Sequence, residues 1–152
     1  MHNFNNIFQF KSGKNVYAKL LFDSTGNDGG DPLSFYSDIY TLNANNKVYY
    51  LAINNGIYST KDAGQAIKVF CIDNDKLNDT VHLIKTGSGL QNEINVDFNF
   101  FSVVDRKERP VKLIKYDASK KIIYIPIVSE DGKVTDKFIR YQFNGKYFIK
   151  TH

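Results

Sequence analysis

A chain of 152 residues fits one domain with room for a real core, and 42% hydrophobic with 14% aromatic residues place it outside the disordered class. The single cysteine, Cys71, excludes an intrachain disulfide, and no run of about 20 apolar residues predicts a membrane-spanning helix. The net charge of +4 is uneven, with 8 Lys/Arg against 10 Asp/Glu in residues 1–104 and 12 against 6 in residues 105–152; a basic C-terminal third attracts an acidic partner or merely solvates a sheet, and is too sparse for nucleic-acid binding.

Residues 1–14 are Asn-rich with scattered Phe4, Ile7, Phe8 and Phe10, a frayed lead-in or a first edge strand. Asn15 to Phe22 reads as a strand, and the Gly- and Asp-rich stretch from Asp23 to Pro32 as a long loop. Leu33 to Leu42 and Lys47 to Ile53 alternate as a hairpin turned at residues 43–46, with Asn54-Asn55-Gly56 as the next turn. Ser59 with Asp62 three residues on matches a loose capping box, which predicts one short helix near residues 59–66. Ile67 to Ile72 is a strand, Asp73 to Asp79 a polar loop, and Thr80 to Lys85 a further strand that carries His82.

From Glu93 to Phe100 the period of two is clean: Ile94, Val96, Phe98 and Phe100 share one face, and Asn95, Asp97 and Asn99 the other. Phe101 to Val104 extends this run, residues 105–110 form a charged turn, and Val111 to Tyr116 is another strand. Lys120 to Lys150 predicts two successive hairpins. Lys120 to Val128 turns at Ser129–Gly132, Lys137 to Phe143 returns, and Asn144-Gly145 forms a two-residue type I′ turn into Lys146–Lys150. Proline cannot donate to a ladder, so Pro126 marks an edge or a bulge. Nine or ten short strands with turns between them predict a single all-β domain over 1–152. Its form is an antiparallel β-sandwich or a partly closed meander barrel with at most one short helix near 59–66.

No catalytic constellation stands out, so the candidate binding residues are aromatic and basic. Tyr36, Tyr40, Tyr49, Tyr50 and Tyr58 crowd the region of the second and third strands, where tyrosines stack on a sugar or anchor a protein, or simply pack the core. Arg106, Lys107 and Arg109 form the densest basic cluster, flanked by Asp105 and Glu108. Lys112 and Lys115 differ by three, which on a flat strand puts them on opposite faces. Asp23, Asp28 and Asp31 supply hard oxygen ligands on a flexible loop, a weak calcium candidate whose spacing fails the EF-hand rule; Asp73, Asp75 and Asp79 make a weaker one. No other metal site and no cofactor is predicted, because His82 stands apart from any second ligand. Cys71, between Phe70 and Ile72, is predicted buried and inert with a raised pKa.

The segments Phe101–Arg106, Arg109–Asp117, Ile122–Pro126 and Tyr141–Phe148 resemble small uncharacterised β-rich, lipoprotein-like proteins exported by Bacteroidetes-type bacteria. The resemblance covers the C-terminal third. It implies a periplasmic, outer-membrane-anchored or secreted location and no catalytic residues. The start, Met1-His-Asn-Phe-Asn-Asn, has neither the basic nor the apolar region of a signal peptide, which leaves a leader replaced by Met1, or a cytoplasmic location, as alternatives. Three function classes follow. The first is a non-enzymatic envelope module that binds a protein or glycan. The second is a small immunity or inhibitor protein that meets an acidic partner through the basic third, and the last a hydrolase with an unrecognised carboxylate site.

Overall fold

The computed structural model describes residues 6–21 and 34–152. In chain order the strands are β1 (Asn6–Ser12), β2 (Asn15–Leu21), β3 (Ser34–Ala44), β4 (Lys47–Ile57), β5 (Asp62–Asp73), β6 (Lys76–Asn78), β7 (Ile84–Thr86), β8 (Gly89–Gln91) and β9 (Glu93–Asn99). A 3-10 turn over Phe100–Val103 follows, then β10 (Lys115–Asp117), β11 (Ile122–Val128), β12 (Val134–Phe143) and β13 (Phe148–Thr151). Strand makes up 65% of the structure, and the sheets do not close into a barrel, so the fold is all-β and of the sandwich type.

One sheet runs β3-β4-β5, with β9 and β6 end to end along the far side of β5; the other runs β10-β11-β12-β13-β7-β8. The main core lies between them. Leu51, Ile67 and Val69 from the first sheet meet Ile123, Ile125 and Phe148 from the second, each side chain contributing roughly 1.5–3 kcal/mol on full burial. The β1–β2 hairpin covers the other face of the first sheet, where Phe8 and Phe10 pack over Ala52, Phe70 and Leu77. Ser12 donates to Asp75, and Lys19 Nζ lies 3.2 Å from the Leu77 carbonyl oxygen and 3.6 Å from Asp79, which ties the hairpin down. β5 is therefore buried on both faces, and it reads as an apolar run rather than an alternation.

That double burial overturns the helix predicted near 59–66. Ser59 makes the capping bonds, accepting from the Asp62 N–H at 3.0 Å and donating to the Asp62 carboxylate at 2.7 Å, but they close the turn between β4 and β5. From Asp62 onward the backbone pairs with β4 on one side and β9 on the other, and Ala63, Gly64 and Ala66 are small enough for that crowded centre. Asn54, Asn55 and Gly56 are likewise not a turn but the buried end of β4.

Other boundaries also move. Phe101 to Val103 curls into the 3-10 turn instead of extending β9, with the Asn99 side chain accepting from the Phe101 N–H. Thr80 to His82 lies outside the ladder, and Leu83 joins it only through backbone bonds to Gln91 and Phe148, so His82 precedes β7 and is exposed. Of the strand predicted at 111–116 only Lys115 and Tyr116 pair, in β10. The fold is not a pure meander either, because β13 runs parallel to β7 through Phe148–Ile84 and Ile149–Lys85.

The C-terminal pair of hairpins forms where the pattern places it. Pro126 is both edge and bulge: β10 stops opposite Tyr124, and the β11–β12 register shifts between Pro126 and Val128. Asn144-Gly145 does not make the two-residue turn. Phe143 pairs with Phe148 across a four-residue loop, and Asn144 Oδ1 accepts from the Lys146 and Tyr147 N–H groups. The two-residue turns with paired positive φ fall at Asn45-Asn46 (53° and 57°) and Asn74-Asp75 (48° and 64°), because Asn and Asp tolerate the left-handed region.

Candidate functional site

The outer strands of the two sheets meet at one rim. β3 ends one sheet and β10 the other, and Tyr40 and Tyr116 close the gap between them with ring centroids 5.6 Å apart at 60°. A cleft of about 140 Å³ opens there, walled by Asp38 and Tyr40 from β3 and by Lys112, Lys115 and Tyr116 from the chain entering β10, with Gln65 behind. Lys115 and Tyr116 also line a shallower groove of about 370 Å³ that runs over Asp117, Tyr124 and Phe138.

Register explains the groove. Lys115 stands opposite Tyr124, Tyr124 opposite Arg140, and Pro126 opposite Phe138, so Lys115, Tyr124, Phe138 and Arg140 share the solvent face of the sheet. Lys115 Nζ lies 5.5 Å from the Phe138 ring centroid, within cation–π range. Tyr124 meets Phe138 edge-on at 6.2 Å and 90°, and Phe138 remains 36% exposed.

Gln65 shapes the cleft from below. Only 2% exposed, it donates to the Val111 carbonyl at 2.7 Å and to Asn55 Oδ1 at 2.8 Å, and its Oε1 accepts from the N–H groups of Leu113 at 3.1 Å and Ile114 at 2.7 Å. A side chain thus replaces a strand ladder for residues 111–114. The parity argument that separated Lys112 from Lys115 fails for this reason, since it assumed a flat strand, and both line the same cleft.

Burial, and to a lesser degree the nearby Asp38, pushes the Tyr40 phenol above its ordinary pKa; burial and then Asp117 do the same for Tyr116. Both phenols stay protonated at neutral pH and serve as hydrogen-bonding rings rather than bases. The Ser119 hydroxyl, followed by the Lys120 N–H, lowers the Asp117 carboxyl, and Asp38 accepts from Ser37 Oγ at 2.9 Å. The arrangement offers ring faces, two ammonium groups and phenolic hydroxyls along the cleft and the groove that adjoins it.

The tyrosines singled out in the sequence divide between faces. Tyr40 and Tyr49 pack against the inter-sheet core, while Tyr36 and Tyr50 pack on the other side of that sheet beneath the β1–β2 hairpin. A register shift between Tyr36 and Asp38 separates Tyr36 from Tyr40. Tyr58 lies against Gly56 and Gly64 and is 48% exposed. Of the five, only Tyr40 lines the cleft, and none lines the groove beside it.

Arg106, Lys107 and Arg109 sit elsewhere. Arg109 donates to the Val104, Arg106 and Glu108 carbonyls and stacks 5.3 Å from the Phe100 ring, so it holds its own loop together. Arg106 faces Glu108 at 3.9 Å, and Lys107 is exposed. The calcium candidates Asp23, Asp28 and Asp31 lie outside the described residues. Asp73, Asp75 and Asp79 are engaged separately, by Lys47, Ser12 and Lys19, and among the described residues no three such groups cluster as for a metal. Cys71 is buried, and desolvation first, then Asp73, pushes its thiol up to about 11. No helix among the described residues is long and apolar enough to cross a membrane.

Sequence reasoning missed Lys115, Tyr116, Tyr124 and Phe138 as one group, because β10 and β12 come together only through β11. The shared face of Phe138 and Arg140 was visible in the alternation. No protein-family model matches this chain, and neither a curated protein nor a solved structure is significantly similar to it.

Proposed function

We propose that this protein is a non-enzymatic binding module of the bacterial cell envelope and that its ligand is an acidic glycan laid along the groove from Tyr40 to Phe138. The observation that carries this reading is the ammonium of Lys115 held over Phe138, with Tyr124 edge-on beside it. Sugar rings stack on exposed aromatic faces, and lysines at 112 and 115 supply charge for a uronic acid. The envelope location rests on the resemblance of the C-terminal third to exported β-rich proteins. The Asp117 carboxyl is lowered by the Ser119 hydroxyl and the Lys120 N–H of its own turn, which unsuits this one residue as a proton donor.

A second reading keeps the same surface and changes the ligand. The basic residues of the groove fit an acidic protein as an immunity or inhibitor module would meet it, since residues 105–152 carry 12 Lys/Arg against 6 Asp/Glu. An array of neutral and uronic-acid oligosaccharides, probed beside a salt-dependent pull-down, separates the two. Binding to acidic oligosaccharides that weakens in Phe138→Ala supports the glycan; a salt-sensitive acidic protein with a silent array supports the alternative.

A further inference from the structure

β3 is an open edge. It ends the five-stranded sheet, and the two-residue turn at Asn45-Asn46 makes Ala44 and Lys47 a hydrogen-bonded pair. Alternation then gives Leu42 and Tyr40 the bonds to β4 and turns the N–H and C=O groups of Ile39, Thr41 and Asn43 outward. None of these groups meets a hydrogen-bond partner among the described residues. We propose that this edge takes up an extended acidic peptide as an added antiparallel strand, with Lys112 and Lys115 receiving its carboxylates.

The edge is unguarded. From Ile39 to Ala44 it carries no charged residue and no proline, the usual blocks to strand addition, and the bulge between Tyr36 and Asp38 ends the usable stretch. On the opposite side of the sheet β9 carries Glu93 and Asp97. A strand added to β3 lies over the mouth of the cleft between β3 and β10. Its side chains on the Tyr40 side fall toward Lys112 and Lys115. Neither ammonium has an ion-pair partner among the described residues, and together they outweigh the carboxylate of Asp38 in the same cleft. The alternate side chains lie beside Ile39, which is 56% exposed. Main-chain bonds supply affinity, and the lysines select the partner. A second copy of the chain fits worse. Antiparallel pairing of β3 with itself turns the copy about an axis normal to the sheet, which brings the lysines of both chains together there. This surface shares Lys112 and Lys115 with the proposed glycan site, but it needs neither Tyr124 nor Phe138.

The test is calorimetric titration of the full chain with a capped heptapeptide that alternates Val with Glu, against the same peptide with Lys for Glu. The proposal expects saturable binding of the Glu peptide, at least tenfold tighter than the Lys peptide. N-methylation of its Val residues, whose amides face β3, should abolish binding. N-methylation of its Glu residues, whose amides face solvent, should leave it nearly unchanged. Thr41→Pro deletes a donor that β4 does not use, so the fold should stand while the peptide is lost. Lys112→Glu should cut the preference for Glu over Lys. The probe carries no sugar, so its outcome is read apart from that of the oligosaccharide array. No saturable binding, equal affinity for the two peptides, tolerance of N-methylated Val, or an unaltered preference in Lys112→Glu overturns the proposal. So does a dimer at the titrated concentration in which the Thr41 amide is protected from exchange, since a second copy then holds the edge.

Discussion

Gln65, in the middle of β5, donates to the carbonyl of Val111 across 2.7 Å, and through this contact the core of one sheet positions the segment that leads into the edge of the other. Its carbonyl takes two more N–H groups from the same segment. Gln65→Ala strands these buried partners, each worth about 1–3 kcal/mol when unsatisfied. The expected loss is roughly 3–4 kcal/mol in denaturant unfolding, together with weaker ligand binding at Lys112 and Lys115. A loss below about 1 kcal/mol would mean that water replaces the amide.

Asp73 sets an acid limb. Lys47 Nζ lies 2.7 Å from one carboxylate oxygen, and Asn78 and Cys71 reach the other at 3.1 Å. Lys47 first, then Asn78, hold its carboxyl down at about 2, below the ordinary 3.8. A carboxyl lowered in the folded state stabilises above its unfolded pKa, and that contribution disappears as pH falls from about 4 toward 2. Melting temperatures of the parent protein and Asp73→Asn, measured across this window, should converge at the acid end.

Gly64 leaves room for Tyr58. A Cβ there would stand 2.5 Å from the Tyr58 hydroxyl and 3.0 Å from Asp97 Oδ1. Gly64→Ala should therefore push the ring aside and cost about 1–2 kcal/mol. In a Tyr58→Ala background the same substitution should cost much less, and a double-mutant cycle measures the difference.

The β3–β4 turn gives a sign test. Asn46 sits at φ 57° in a two-residue turn. Asn46→Gly should raise the melting temperature slightly, and Asn46→Val should lower stability by about 1–2 kcal/mol, the cost of a branched residue in the left-handed region.

The strands with one wet face were legible. Ile94, Val96 and Phe98 alternate with Asn95 and Asp97 on β9, and Ile139 and Tyr141 alternate with Phe138 and Arg140 on β12. Where burial is two-sided, as at Ala63–Ile67, periodicity vanishes and the local cap at Ser59 pointed to a helix that tertiary pairing overrides. The groove was hidden for another reason. Gln65 reaches residues 46 to 49 positions away, and no local pattern encodes a side chain that stands in for a strand. Asn144-Gly145 carried the strongest turn signal, yet the Asn144 side chain accepts from the Lys146 and Tyr147 N–H groups and the loop lengthens to four residues.

The central claim is that ligand lies between Tyr40 and Phe138. An amide correlation spectrum of the labelled protein, titrated with a uronic-acid oligosaccharide, tests it most directly. Shifts should concentrate at Lys112–Asp117, Tyr124 and Phe138 and vanish in Lys115→Ala combined with Phe138→Ala. An unchanged spectrum, or shifts centred on another face of the sandwich, would contradict it.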